Sequence, residues 1–230
     1  MRNEDGIMDV KLFLSAITKF LLGIFLVGAL IFLPAWSLSF YRGWLFMGIL
    51  FIPMFLAGIV MMWKNPDLLR RRLDAKEKQK EQGIVIKLSG LMFVAGFVLA
   101  GLDYRFQWWQ LPPISSYIAS GVFLGAYVMW AVVLKQNAYL SRTIKVEEGQ
   151  KVIDKGLYGM VRHPMYTATI FLFLSMPLVL GSMVAFFVFL LYPILIVVRI
   201  LYEEKVLEKE LDGYLEYKKK VKYRLIPYIW

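Results

Sequence analysis

The sequence predicts an all-α, polytopic membrane protein with about six transmembrane helices, a C-terminal helical hairpin and an interfacial cytoplasmic tail. Hydrophobic residues make up 59% of the 230 residues and charged residues 19%, a balance far from that of ordinary soluble chains. The charges stand in short blocks between long apolar runs. Although the net charge is +10, this arrangement favours lipid head groups over nucleic acid as the partner.

Six apolar runs define the predicted membrane helices. Four are long enough to cross about 30 Å of hydrocarbon at about 1.5 Å per residue: 12–34, 43–63, 84–102 and 114–134. The last two, 165–180 and 183–198, are separated by a single Gly-Ser pair, which indicates a tight helical hairpin. Pro177 and Pro193 lie inside this hairpin, and we expect them to kink its helices and open a cavity.

Basic residues are distributed unevenly among the segments between the spans. Lys and Arg number seven in 64–82, six in 135–163 and seven in 203–230, but one each in 35–42 and 103–113. The positive-inside rule therefore predicts that both termini are cytoplasmic. The first span lacks a small-residue cleavage site and further spans follow it, so we interpret it as a membrane helix rather than a signal peptide. Together with the absence of cysteine, this fits a prokaryotic inner membrane.

The basic run 70–72 and the charged residues up to 81 form the longest block between spans. Such a run could bind a substrate or anionic lipids. We interpret it instead as a solvated loop that orients the protein in the membrane.

Residues that could carry chemistry are concentrated in the last third of the chain. We therefore divide it into a four-span region, 1–134, and a C-terminal region, 135–230, within one integrated domain. Only Lys19 and Lys87 interrupt the first four spans, and both are close enough to span ends to reach the interface. With no cysteine and one histidine, the chain excludes thiolate, iron–sulfur and multi-histidine metal sites.

The segment 156–166 has the features of a turn followed by a helix N-terminus. Gly156 permits a close backbone turn, and Pro164 has the fixed φ that suits the first position of a helix. The free N–H groups and positive dipole end would then lie beside Arg162 and His163, which suits a carboxylate or phosphate. A simple cap at the membrane boundary explains the same residues.

Three ionisable residues near the end of the last span form a second candidate site. Arg199 and Glu203 are four residues apart and share a helix face, and Glu204 lies about 100° further round. Ionisable groups at membrane depth usually face a bundle interior or a wet cavity. Two acids beside one arginine leave a negative charge for a cationic ligand, although a plain ion pair explains the same spacing.

The chain ends in an amphipathic, charge-mixed segment, 207–230. Leu and Tyr side chains supply apolar area there, and Lys and Arg supply positive charge, a pattern typical of an interfacial helix. We expect 224–228 to fold back as an extended cap over the pocket. A lipid-surface anchor is the alternative.

These elements together resemble a known family. They are Gly156-x-Tyr158-x-x-x-Arg162-His163-Pro164-x-Tyr166, Arg199-x-x-x-Glu203-Glu204-x-x-Leu207, Gly213-Tyr214-x-x-Tyr217 and Tyr223-Arg224-Leu225-Ile226-Pro227. In order and spacing they are similar to the isoprenylcysteine carboxyl methyltransferase family, which includes phospholipid N-methyltransferase relatives. The resemblance covers about 135–230. One departure is Ala168, where the family commonly has glycine, and it bears on helix packing more than on cofactor binding.

The resemblance implies an enzyme that binds S-adenosyl-L-methionine among the last helices and the C-terminal segment, with a lipid-like or prenylated acceptor entering from the bilayer. The cofactor site would be lined by Tyr158, Arg162, His163, Pro164 and Tyr166. Glu203 and Glu204 would bind the cationic portion of the cofactor or position the active-site arginine. Arg199 would orient an acceptor carboxylate, so that Arg199 and Glu203 are the candidate catalytic residues. With an amine acceptor, His163 or Glu203 would accept the proton.

Two other functions are compatible with the sequence. The related sterol reductases share an Arg-His motif and an ending like 224–228, so an NADPH-dependent reductase is one alternative. The Glu203-Glu204 pair favours the methyltransferase, because the reductases would have Arg-Asp-Glu. A membrane scaffold or small transporter is the other alternative. The acceptor, whether a prenylcysteine, a phospholipid amine or a small thiol, depends on the shape of an apolar cavity, and no sequence feature indicates an oligomeric state.

Overall fold

A computed structural model describes residues 10–73, 80–137, 139–140, 146 and 149–230. The regular elements in these ranges are helices. They are α1 (Val10–Ala35), α2 (Tyr41–Lys64), α3 (Pro66–Leu73), α4 (Lys80–Phe106), α5 (Pro113–Gln136), the 3₁₀ helix η1 (Gly156–Gly159), α6 (Pro164–Val179), α7 (Met183–Phe189), α8 (Leu191–Glu210) and α9 (Tyr214–Lys220).

Five stretches of the described chain are long and apolar enough to cross a membrane. They are α1, α2, most of α4, α5, and α7 together with α8. The 16-residue helix α6 is a shorter apolar helix, and with it the six predicted spans are accounted for. The prediction of an all-α, polytopic membrane protein is confirmed. Helices α4 and α8 continue past their apolar runs, because hydropathy marks only the part of a helix that suits lipid.

Each of the two prolines of the hairpin lies close to the end of a helix. Pro177 is in the last turn of α6, and Pro193 is in the first turn of α8. A proline has no N–H to donate, and its ring crowds the carbonyl four residues earlier, which for Pro193 is that of Phe189, the last residue of α7. The second half of the hairpin is broken directly after that residue, at Leu190, in agreement with the kink predicted for Pro193.

The segment after α2 contains the short helix α3, which the interpretation as a solvated loop missed. Asn65 Oδ1 accepts a hydrogen bond from Leu68 N (3.1 Å), and Pro66 occupies the first helical position. Both are recognised start signals. Leu68 and Leu69 are buried, which anchors α3 to the bundle. Residues 74–79 of the predicted loop lie outside the described residues, and its last two residues, 80–81, are the start of α4.

A buried polar cluster ties the connecting segments together at the end of the bundle opposite α9. Arg42, which is 6% exposed, donates to the carbonyl oxygens of Leu111 (2.8 Å) and Gly181 (3.5 Å). Gly181 has a φ of +75°, and a Cβ there would lie 1.6 Å from Arg42 Nη1, so the position requires glycine. The fully buried Asp103 accepts from Ser182 Oγ at 2.5 Å. These contacts hold the hairpin turn against α2 and α4.

An aromatic layer fills the middle of the bundle between α4 and α7. Phe189 is fully buried, and a Cβ at Gly96 would lie 2.3 Å from its ring. The rings of Phe93 and Phe97 pack on Phe189 with centroid distances of 5.5 and 5.8 Å. This layer leaves little room between the two helices.

Candidate functional site

A cavity of about 470 Å³ lies among α4, α6 and α8, on the side of the bundle that carries α9. Each helix contributes one face, because its lining residues recur at helical spacing. On α8 the wall is apolar at Tyr192 and Ile196 and charged at Arg199 and Glu203. The cavity therefore joins an apolar part to a polar part, and its volume is within the range of roughly 300–1,000 Å³ that is usual for small-molecule sites.

The structure brings six of the eight predicted site residues to the cavity wall. They are Tyr158, Arg162, His163, Tyr166, Arg199 and Glu203. They meet because η1, the start of α6 and the second half of α8 come together at this end of the bundle. The other two, Pro164 and Glu204, are buried outside the wall.

Tyr166 joins the two candidate catalytic residues. Its hydroxyl donates to Glu203 Oε2 (2.5 Å) and accepts from Arg199 Nε (2.9 Å). Arg199 and Glu203 face the same cavity from α8, in keeping with their four-residue spacing. The hydrogen bond at Nε fixes the plane of the Arg199 guanidinium, and a fixed guanidinium suits recognition of a planar carboxylate.

Glu204 is the centre of a buried ion cluster behind the wall. Its Oε1 accepts from Arg162 Nε (2.7 Å) and lies 3.3 Å from His163 Nε2, while its Oε2 accepts from Arg224 Nε (2.9 Å). The Glu204 side chain is 4% exposed. Glu204 therefore holds Arg162 and Arg224 and lies outside the cavity wall, whereas a partner of the predicted active-site residue Arg199 is Tyr166.

The C-terminal segment, 221–230, pairs with the residues that precede α6. The backbone N–H groups of Arg162 and His163 donate to the carbonyl oxygens of Tyr223 and Arg224, both at 2.9 Å. The segment folds back as predicted, but it covers the start of α6. Of the described residues, none from 221–230 lines the cavity, which corrects the expectation of a cap over the pocket.

The N-terminus of α6 is engaged mostly within the protein. Pro164 begins the helix, as predicted, and has no N–H to offer. The N–H groups of Tyr166 and Thr167 both donate to His163 O. The expected anion site at this helix end is therefore largely satisfied by the protein's own acceptors. Charged side chains on the wall, such as Arg162 and Arg199, are further candidates for contacts with an anion.

Three buried tyrosines line the α9 side of the cavity: Tyr158, Tyr214 and Tyr217. Burial raises the pKa of each phenol, and the Glu204 carboxylate raises the pKa of Tyr214 further. All three are therefore neutral near pH 7 and able to donate hydrogen bonds. Asn137 Nδ2 donates to the Tyr158 hydroxyl (3.1 Å), and the Tyr217 hydroxyl donates to Tyr158 O (2.7 Å).

Tyr214 is a wall residue that the sequence analysis assigned to the interfacial tail. It is 4% exposed, and among the described residues its hydroxyl has no hydrogen-bond partner. A buried hydroxyl without a partner costs about 1–3 kcal/mol, so a ligand group that pairs with it gains accordingly. The sequence signal for this position is Gly213-Tyr214-x-x-Tyr217, in which Gly213 has a φ of +81° and is the N-cap of α9.

The part of the chain that forms most of the cavity wall is similar to a known protein family. Residues 117–209 match the isoprenylcysteine carboxyl methyltransferase (ICMT) family model. The match confirms the resemblance over this segment, which runs from α5 almost to the end of α8. It contains all eight predicted site residues and supports a membrane methyltransferase. The ICMT-matching segment ends before α9 and the C-terminal segment.

A curated relative links the chain to a second class of membrane enzyme. The Delta(14)-sterol reductase TM7SF2 of Mus musculus is 35% identical over 91 residues, which are 38% of this chain and 22% of the reductase. The chain therefore matches about a fifth of that relative's length.

Proposed function

We propose that this protein is an integral-membrane methyltransferase that uses S-adenosyl-L-methionine to methylate the carboxylate of a prenylcysteine-like or other lipidic acceptor. The observation that carries the proposal is the Arg199–Tyr166–Glu203 chain at the point where the cavity changes from apolar to charged. An acceptor with an apolar tail and a carboxylate head matches that change in polarity.

The residues present fit the chemical groups of the cofactor. Its amino and sulfonium groups are cationic, and Glu203 is a carboxylate on the wall. Its polar atoms need donors and acceptors, and the phenols of Tyr158 and Tyr214 are neutral donors at the α9 side. Arg162 and His163 reach the same side and are held there by Glu204.

Methyl transfer of this kind requires alignment and dehydration more than acid–base work. When bound, S-adenosyl-L-methionine supplies an electrophilic methyl group on its sulfonium. Arg199, fixed by Tyr166, orients the acceptor carboxylate for in-line attack. Beyond Ile196 the cavity wall is apolar, which suits the tail of a lipidic acceptor. A carboxylate nucleophile needs no base, whereas with an amine acceptor His163 or Glu203 accepts the proton.

Calorimetric titration of S-adenosylhomocysteine into detergent-solubilised protein tests the proposal. The parent is expected to bind saturably, and Glu203→Gln to bind about 10- to 100-fold more weakly, because a hydrogen bond to a charged group contributes about 1.5–3 kcal/mol. The matched control is Glu208→Gln on the same helix. Glu208 pairs with Lys218 outside the cavity and is expected to leave binding unchanged.

Absence of binding by the folded parent would contradict the methyltransferase and direct attention to a reductase, which the partial similarity to the sterol reductase favours as the second candidate. That function predicts nicotinamide binding and consumption of NADPH with an unsaturated lipid. Neither binding nor turnover in either assay would favour a non-enzymatic scaffold or transporter.

Tyr214→Phe is expected to affect stability and ligand affinity in different directions. Removing a buried hydroxyl without a partner is expected to leave the thermal stability of the ligand-free protein unchanged or slightly raised. If the cofactor pairs with this hydroxyl, S-adenosylhomocysteine is expected to bind about 3- to 10-fold more weakly. Differential scanning fluorimetry and calorimetry measure the two effects. Unchanged affinity would place the cofactor away from Tyr214.

A further inference from the structure

The apolar part of the cavity ends at three aromatic rings, one from each wall helix. They are Phe93 of α4, Phe173 of α6 and Tyr192 of α8. Phe173 packs edge-on against both others, with ring centroids 4.8 Å from Phe93 and 4.6 Å from Tyr192. Phe93 and Tyr192 are 6.5 Å apart. The rings are in mutual contact, and we call them the aromatic floor.

The aromatic floor is braced from both sides. The Tyr192 hydroxyl donates to Thr169 Oγ1 (3.1 Å), which ties α8 to α6 at this level. Beyond Phe93, the fully buried Phe189 packs so closely on Gly96 that an added Cβ would lie 2.3 Å from its ring. A ligand tail that reaches the floor meets packed side chains.

The depth of the apolar part can be read from the helices. The reacting end is marked by Tyr166 and Arg199, which are hydrogen-bonded to each other, and the floor by Phe173 and Tyr192. Seven residues separate the two levels on α6 and seven on α8, which corresponds to about 10 Å at 1.5 Å per residue. An extended chain of roughly eight carbons spans that distance, given carbon–carbon bonds of about 1.5 Å.

We propose that the aromatic floor limits the length of the acceptor's apolar tail, so that among the lipidic acceptors of the proposed function a short-tailed amphiphile fits, and a farnesyl or longer chain does not. This rests on the proposed function, since the tail is measured from the groups that would hold the acceptor head. Phe93, Phe173 and Tyr192 are then specificity-determining residues, and the exposed Gly90 lines the passage above them on α4.

Gly90 offers a way to shorten the passage without disturbing the fold. It lines the cavity one helical turn before Phe93, and a Cβ added there meets no atom of the described residues within 4 Å. Leucine also favours the helix over glycine. Gly121 on α5 is the matched control, because it is equally open among the described residues and is not part of the wall.

The experiment uses a series of N-acetyl-S-alkylcysteines with tails from about half to about twice the expected limit, and the full-length protein in lipid nanodiscs. Calorimetry with empty nanodiscs as blank gives binding in the presence of S-adenosylhomocysteine, and radiolabelled methyl transfer gives kcat/KM. In the parent, affinity is expected to rise about three- to fourfold per added methylene and then to stop rising or fall near eight carbons. Gly90→Leu is expected to move the limit to shorter tails and Phe173→Ala to longer ones, with Gly121→Leu like the parent.

The binding and methyl-transfer measurements test the aromatic floor and the proposed function separately. A length limit in binding without methyl transfer would support the floor and contradict the methyltransferase. Methyl transfer whose rate keeps rising with tail length, and does not change in Gly90→Leu, would overturn the floor, because the tail would then leave the cavity toward the bilayer. Phe173→Ala removes core packing and can fail to fold. In that case, the change in the tail-length limit of Gly90→Leu decides the proposal.

Discussion

Glu204→Gln is expected to lower the free energy of unfolding by about 3–5 kcal/mol, the largest stability effect that we predict for this chain. The variant leaves Arg162 and Arg224 without the carboxylate that holds both, and Arg162 is 5% exposed, so its charge cannot be rehydrated without opening the cluster. The same change removes the carboxylate that orients Arg162 and His163, although Arg162 keeps its hydrogen bonds to Val221 O and Lys222 O (both 2.7 Å), and S-adenosylhomocysteine binding is expected to fall with stability. Thermal unfolding in detergent measures the first effect, and calorimetry below the unfolding temperature measures the second.

Two further variants show whether the stability loss in Glu204→Gln comes from the buried charge cluster or from placing any glutamine on α8. Glu208→Gln removes a carboxylate that is 33% exposed and pairs with Lys218 (2.5 Å), and it is expected to cost less than about 1 kcal/mol. The double variant Arg162→Met, Glu204→Met removes both deeply buried charges. It is expected to be less destabilised than the sum of the two single changes, because neither of these two charges is left buried without the other. Arg224 also loses its carboxylate, but its side chain is 25% exposed and can be hydrated. Strict additivity would contradict the coupling.

The helices could be predicted from the sequence because their cause is local. An apolar run of sufficient length must form a helix in lipid, and the six runs appear as α1, α2, α4, α5, α6 and the α7–α8 pair. The short helix α3 was missed because its charged residues outweigh its two buried leucines in any hydropathy average. The break at Leu190 lies three residues before Pro193, the proline that the sequence marks as a kink in this half of the hairpin.

The residues of the candidate site could be predicted from the sequence, but their contacts and orientations could not. Spacing places Glu203 and Glu204 about 100° apart on α8, but which of them faces a cavity depends on the rotation of α8 against α4 and α6. The pairing of 223–224 with 162–163 is a contact between distant parts of the chain, for which the sequence has no local signal. The aromatic floor escaped notice because Phe93, Phe173 and Tyr192 look like ordinary membrane-helix residues until three helices bring them together.

Arg199→Gln is expected to have the largest effect on catalysis. If Arg199 orients the acceptor carboxylate, its loss is expected to lower kcat/KM for the acceptor by about 10²–10³, the usual consequence of removing one preorganised electrostatic contact. S-adenosylhomocysteine affinity is expected to change only a few-fold, because Glu203 and the tyrosines of the α9 side remain. Steady-state methyl transfer at varied acceptor concentration, with calorimetry of S-adenosylhomocysteine, measures both quantities.

Tyr166→Phe shows whether Arg199 acts through its charge alone or through its fixed orientation. The ring is kept, but the hydroxyl that accepts from Arg199 Nε (2.9 Å) and donates to Glu203 is lost. If orientation matters, kcat is expected to fall about tenfold, the equivalent of one hydrogen bond. Arg199→Lys keeps the charge without the planar fork and is expected to lie between the parent and Arg199→Gln. If Arg199→Gln instead abolished S-adenosylhomocysteine binding and left the acceptor KM unchanged, Arg199 would belong to the cofactor side of the cavity, and the acceptor head would have to be held by another cation on the wall.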